Sequence, residues 1–185
     1  MEEKKESLIT IYCTLLKNFE FLFTMLATCV LFYVISGILF WSTDYFIDVL
    51  GENKSDVTLA FGLTSITAPV LGAISSIPLE MYVGFKGNYT LPACLLIAIV
   101  CYAVAFFIPF YNDLAPVIAH IWFLLFFGGM LLPITNGRIL SIVNKKHLPH
   151  SQSLCFMCYN LFGWLPSPFM YGYISDLATR GEEIK

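Results

Sequence analysis

Five stretches without a charged residue, each long enough to cross a bilayer, constrain this chain more than any motif in it. An α-helix rises 1.5 Å per residue, so about 20 mostly apolar residues span a hydrocarbon core of roughly 30 Å. Phe21–Thr43 and Val57–Leu79 are 23 residues each, Gly87–Asn112 is 26, Leu114–Gly137 is 24 with a continuation to about Val143, and Leu148–Ser175 is 28. The expected fold is an all-α membrane protein of about five transmembrane helices, near residues 21–43, 57–79, 90–110, 115–143 and 149–175. Residues 1–20 would form the N-terminal segment with a lead-in helix, residues 21–176 the bundle, and residues 177–185 a tail too short for a sixth crossing.

Composition agrees. The chain is 58% hydrophobic and 12% charged, with a mean hydropathy of +0.76, where soluble domains carry about a quarter charged residues. Disorder and an ordinary soluble enzyme are both excluded on that ground. A net charge of -3 leaves no basic footprint for nucleic acid. Met1–Ser7 reads MEEKKES, whose acidic residues do not suit a signal peptide's positive n-region, and the apolar run behind it is too long for an h-region. Residues 8–18 (LITIYCTLLKN) read as an amphipathic helix at the membrane surface.

The connections are short. An acidic loop, Asp44–Asp56, joins the first two runs, and Glu80–Gly87, Tyr111–Asp113 and Asn144–His147 join the others. Basic residues set the orientation. With the N-terminus inside, Lys4, Lys5, Lys17, Lys86, Arg138, Lys145 and Lys146 face the cytoplasm, and Lys54, Arg180 and Lys185 face the other side. The expected localisation is therefore an integral multi-pass membrane protein with a cytoplasmic N-terminus. Asn53-Lys54-Ser55 would be a glycosylation sequon on the outside, and Asn88-Tyr89-Thr90 a silent one inside.

Several patterns bear on function. Tyr33, Gly37, Trp41 and Asp44 share one helical face. That face either lines a pathway in the bundle or forms an interfacial aromatic belt with Tyr45. Gly62, Ser65, Pro69, Gly72 and Ser76 make a row of small residues in the second run, suited to close helix packing, with Pro69 placed to kink the helix. The third run has almost no polar atom and should face lipid. His120 is ionisable but shallow, and reads equally as a coupling residue or as one reaching headgroup water. Arg138 is expected to snorkel. In the fifth run, Asn160, Gly163 and the Pro166-Ser167-Pro168 break precede Gly172-x-x-x-Asp176. Two prolines this close free backbone carbonyls, and such breaks persist at membrane depth only where protein or a cavity supports them. Cys155-x-x-Cys158 stands alone in an apolar helix and reads as packing rather than redox or zinc chemistry. No catalytic constellation, phosphate loop or metal cluster is evident, so neither an enzyme nor a cofactor is expected.

Three stretches resemble the major facilitator superfamily, specifically the C-terminal half of a Spinster-like (protist Spinster-related) transporter. LLKNFEFLFTMLATCVLFYVISGILFWSTDYFIDVLG is similar to its seventh helix, FFGGMLLPITNGRILSIV to its tenth, and HSQSLCFMCYNLFGWLPSPFMYGYISD to its eleventh. Organic-anion transporters carry a similar Pro-Ser-Pro segment. The loop after the eighth helix departs from the family's Gly-x-x-x-Asp-Arg-x-Gly-Arg pattern, which only Gly72, Glu80, Gly84 and Lys86 echo. The resemblance implies that the five runs correspond to helices seven to eleven, with the third, lipid-facing run on the peripheral ninth. It implies secondary transport of a small organic or lipid-like solute, such as a lysophospholipid or sphingoid phosphate, with sugars and organic acids as further classes. Since that superfamily rocks one half against the other around a midplane site, a partial transporter would need a second half or another membrane subunit. Tyr33, Trp41, His120, Asn160 and Trp164 are the candidate pathway residues. Gly72, Pro166, Pro168, Gly172 and Asp176 are the structural motif. A different class, a non-transporting truncated paralogue or accessory subunit, would use the same small-residue faces for packing alone.

Overall fold

A computed structural model describes residues 7–83 and 89–183, without the side chains of residues 83 and 178–183. Lys4, Lys5, Gly84, Lys86, Asn88 and Lys185 lie outside the described residues, as does the Arg180 side chain. Every regular element among the described residues is helical. Helix α1 is Leu8–Lys17, α2 is Phe19–Asp44, α3 is Lys54–Val83, α4 is Thr90–Phe107, α5 is Leu114–Ile142, α6 is Leu148–Cys158 and α7 is Pro166–Glu183. Four helical stretches are long and apolar enough to cross a membrane: Phe19–Val49, Lys54–Tyr82, Thr90–Phe110 and Leu114–Ile142. This architecture suits a multi-pass membrane protein. The fifth run is not one regular helix. It divides into α6, a π-helical turn at Tyr159–Trp164, and α7, because Pro166 and Pro168 supply no N–H to continue the α ladder.

Local sequence explains the helix ends. The Asn18 side chain accepts from the N–H groups of Glu20 and Phe21, at 3.1 and 3.3 Å, and so caps α2. Helix α2 runs further than the acidic loop suggested, through a π turn at Tyr45–Val49. The extra residue that a π turn inserts goes with a fully buried Phe46, whose ring meets Phe61 edge-on at 5.9 Å. Gly51, at φ 69°, closes the turn in the left-handed region that glycine reaches without strain.

Two clusters hold opposite ends. At the acidic end, Phe46, Val57, Phe61, Val117 and Ile121 pack together. At the end bearing Lys17, Lys145 and Lys146, α1 lays Ile11 and Leu15 on Phe21, Ile139 and Leu154. Leu8, Ile9 and Leu16 stay exposed on α1. Helix α5 is central and α4 peripheral: 39% of the apolar window of α5 is buried, against 6% for α4.

The α3–α5 crossing shows what the small-residue row is for. A Cβ on Gly72 would overlap the Phe126 carbonyl oxygen, and one on Gly129 would lie 2.5 Å from the Pro69 carbonyl oxygen. Each helix lays a glycine on the other's backbone. Helix α3 continues through Pro69 as a single element.

Candidate functional site

The Pro-Ser-Pro break is held by α2. Pro168 has no N–H, so it cannot make the i→i−4 bond to the Trp164 carbonyl. The Ser36 hydroxyl donates to that carbonyl instead, at 3.3 Å. The fully buried Ser167 donates to the Tyr33 carbonyl at 2.6 Å, and Trp41 Nε1 donates to the Pro168 carbonyl at 3.1 Å. Three side-chain-to-backbone bonds thus cross one seam, which is the protein support that a broken helix at membrane depth needs.

Glycines bring the two backbones close enough for these bonds. A Cβ on Gly163 would stand 2.8 Å from the Phe32 Cβ and 2.9 Å from the Cys29 carbonyl oxygen. Further along, the contacts are reciprocal. Tyr171 of α7 lays its ring over Gly37 of α2, and Trp41 of α2 lays its ring over Gly172 of α7, where a Cβ would come within 3.0 Å. The Tyr33 and Tyr171 rings are 6.0 Å apart. Tyr33, Gly37 and Trp41 of the stripe therefore face the fifth run, and Asp44 at its end is exposed.

A chain of hollows follows α2 from end to end. The first, about 370 Å³, has Glu20 and Arg138 in its wall. It shares Ala27, Cys94 and Thr135 with a second of about 480 Å³ between α2, α4 and α5. Ile38 and Leu124 border both the second and a third of about 330 Å³. The third shares Trp41, Tyr45 and Tyr171 with a fourth of about 370 Å³ that reaches Asp44, Asp48 and Ser175. The furrow is apolar in the middle and carries charged residues at both ends.

The candidate residues fall into separate places. Tyr33 and Trp41 meet at the seam, and Trp41 also borders two of the hollows. Asn160 and Trp164 sit on the exposed side of the π turn, where Asn160 Nδ2 binds the Phe156 carbonyl at 2.8 Å and the Trp164 ring lies 6.3 Å from Phe32. His120 does not join them. Its Nδ1 lies 2.7 Å from the Pro116 carbonyl oxygen in its own helix, and its ring lies 4.9 Å from that of Tyr111 at an interplanar angle of 42°. Of the structural motif, Gly72 belongs to the α3–α5 crossing, Pro166, Pro168 and Gly172 to the seam, and Asp176 is exposed one turn beyond it.

Sequence reasoning missed Tyr171 and the Glu20–Arg138 pair. Tyr171 walls the third and fourth hollows, and its signal was its place between Pro168 and Gly172. Arg138 does not extend to the surface as expected: it pairs with Glu20 of α2 and is only 15% exposed. Cys29, Cys155 and Cys158 are free and packed in the core at the basic end. Among the described residues no group of histidine, cysteine and carboxylate side chains could hold a metal. Comparison with protein-family models, with curated proteins and with solved structures finds no match to this chain.

Proposed function

We propose that this chain is the five-helix core of one half of a major-facilitator-type secondary transporter, moving a small organic or lipid-like solute once completed by a second half. The seam carries the reading. A helix interrupted by two prolines, its freed carbonyl taken up by Ser36 of another helix, is tolerated at membrane depth where protein or a cavity supports it, and this seam borders open hollows at Trp41 and Tyr171. The five runs then stand for helices seven to eleven of that fold, and α4, the least buried of the four long apolar stretches, takes the peripheral ninth position. On this reading, the basic end that holds Lys17, Lys145 and Lys146 is cytoplasmic.

The test is uptake by the chain reconstituted in liposomes, in whatever assembly it forms, with fluorescent lysophosphatidylcholine as the probe. Saturable uptake that falls about tenfold or more in Trp41→Ala is expected of the assembled carrier. A correctly inserted assembly that moves neither this probe nor a sugar or organic acid would instead be a non-transporting accessory subunit.

A further inference from the structure

The basic end of the furrow has a chemistry that the seam does not use. Helices α2 and α4 both lean on α5 and leave a slot between them. From Thr90 to Tyr102 this slot has walls from all three helices, a length of about 18 Å at 1.5 Å per residue. Small side chains open it, with Ala27 on α2, Ala98 on α4 and Gly128 on α5. Its second hollow, about 480 Å³, lies within the range of small-ligand sites, about 300–1,000 Å³.

The walls of that hollow are almost wholly apolar side chains, so a polar solute would lose its hydration there without compensation. The adjoining hollow ends at the Glu20–Arg138 pair. Arg138 is 15% exposed and Glu20 is 40% exposed, so both charges are within reach of a group entering the slot. Opposite charges side by side complement a headgroup that itself carries both signs. A purely anionic headgroup would meet the Glu20 carboxylate, and a purely cationic one the guanidinium.

We infer that this slot holds a phosphatidylethanolamine-type zwitterionic phospholipid. Its phosphate faces Arg138, its primary ammonium faces Glu20, and one acyl chain lies between Ala27, Ala98 and Gly128. The guanidinium offers the planar fork that suits phosphate oxygens, and a primary ammonium donates hydrogen bonds to a carboxylate. The slot lies on a different face of α2 from the seam, and the assignment needs only that the chain sits in a bilayer.

Native mass spectrometry of the full chain, released from nanodiscs of equimolar phosphatidylethanolamine and phosphatidylglycerol, reads the site directly. One phosphatidylethanolamine should be retained, preferred over phosphatidylglycerol by about fivefold or more. Glu20→Gln with Arg138→Gln should bring the preference within about twofold. Ala98→Trp, which fills the slot, should cut retention of both lipids about fivefold. Equal retention of the two lipids by the unaltered chain, or a preference for phosphatidylglycerol, overturns the assignment whether or not the variants fold. So does a folded Ala98→Trp protein that keeps its lipid.

Discussion

Ser36 and Trp164, 128 positions apart, are joined by a hydroxyl-to-carbonyl bond of 3.3 Å, and the carbonyl involved is the one Pro168 cannot reach. A side chain of one helix thus replaces a backbone amide of another. In lipid such bonds contribute about 0.6 kcal/mol on average and about 1.7 at most. Ser36→Ala should therefore destabilise the protein by about 1 kcal/mol. In a Pro168→Ala background, where the amide returns, the same change should cost less. A double-mutant cycle by unfolding in mixed micelles measures the coupling, expected at about 0.5–1 kcal/mol; a coupling of zero would show that the two groups act independently.

Gly72 and Gly129 should tolerate no side chain, whereas Gly62 should. A Cβ at Gly72 would run into the Phe126 carbonyl, and one at Gly129 into the backbone of Pro69, while nothing lies within 4 Å of the Gly62 position. Gly72→Ala should cost about 2 kcal/mol or more through forced separation of α3 and α5. Gly62→Ala should be neutral or stabilising by about 0.5–1 kcal/mol, since alanine favours the helix. Thermal shift in detergent, followed by size-exclusion chromatography, separates the two outcomes.

Removing one member of the Glu20–Arg138 pair should cost more than removing both. Glu20→Ala leaves a mostly buried guanidinium without this carboxylate, at about 1–2 kcal/mol once the exposure of Glu20 is discounted. Adding Arg138→Met should recover about half of that loss. Unfolding of the single and double variants under one set of conditions decides it, and an additive loss would contradict the pairing.

Cysteine accessibility tests both packing and orientation. Cys13 is exposed on α1, whereas Cys29, Cys155 and Cys158 are buried. A soluble maleimide should modify Cys13 within minutes and leave the other three unmodified until the bundle unfolds. In a variant lacking the native cysteines, Lys145→Cys should label from the cytoplasmic side and Lys54→Cys from the opposite side. Labelling of both from one side would refute the proposed topology.

The runs between charges located α2, α3, α4 and α5 to within a few residues, because burial in lipid demands both length and apolarity. The lead-in helix and the little-buried third run were legible from the same pattern of apolar residues. The fifth run read as one helix, since a charge-free interval carries no information about hydrogen-bond register. Its prolines marked the break but not the π turn before it. Glu20 and Arg138 were opaque because they lie 118 residues apart, and each, taken alone, looks like a residue reaching for water. The row containing Gly72 was legible as a packing face, but its partner Gly129 could be identified only from the crossing itself. His120 read equally as a coupling residue or as one reaching headgroup water, and nothing in the linear order reveals that its ring nitrogen lies against the Pro116 carbonyl.

The reciprocal placement of Tyr171 over Gly37 and Trp41 over Gly172 has a mechanical result. Sliding α7 along α2 by even one residue would drive both rings into Cβ atoms or backbone and sever three cross-helix bonds together. The pair is therefore a latch with no intermediate notch, which resists sliding of α7 along α2. Any motion the molecule makes must find its compliance away from this line of contact.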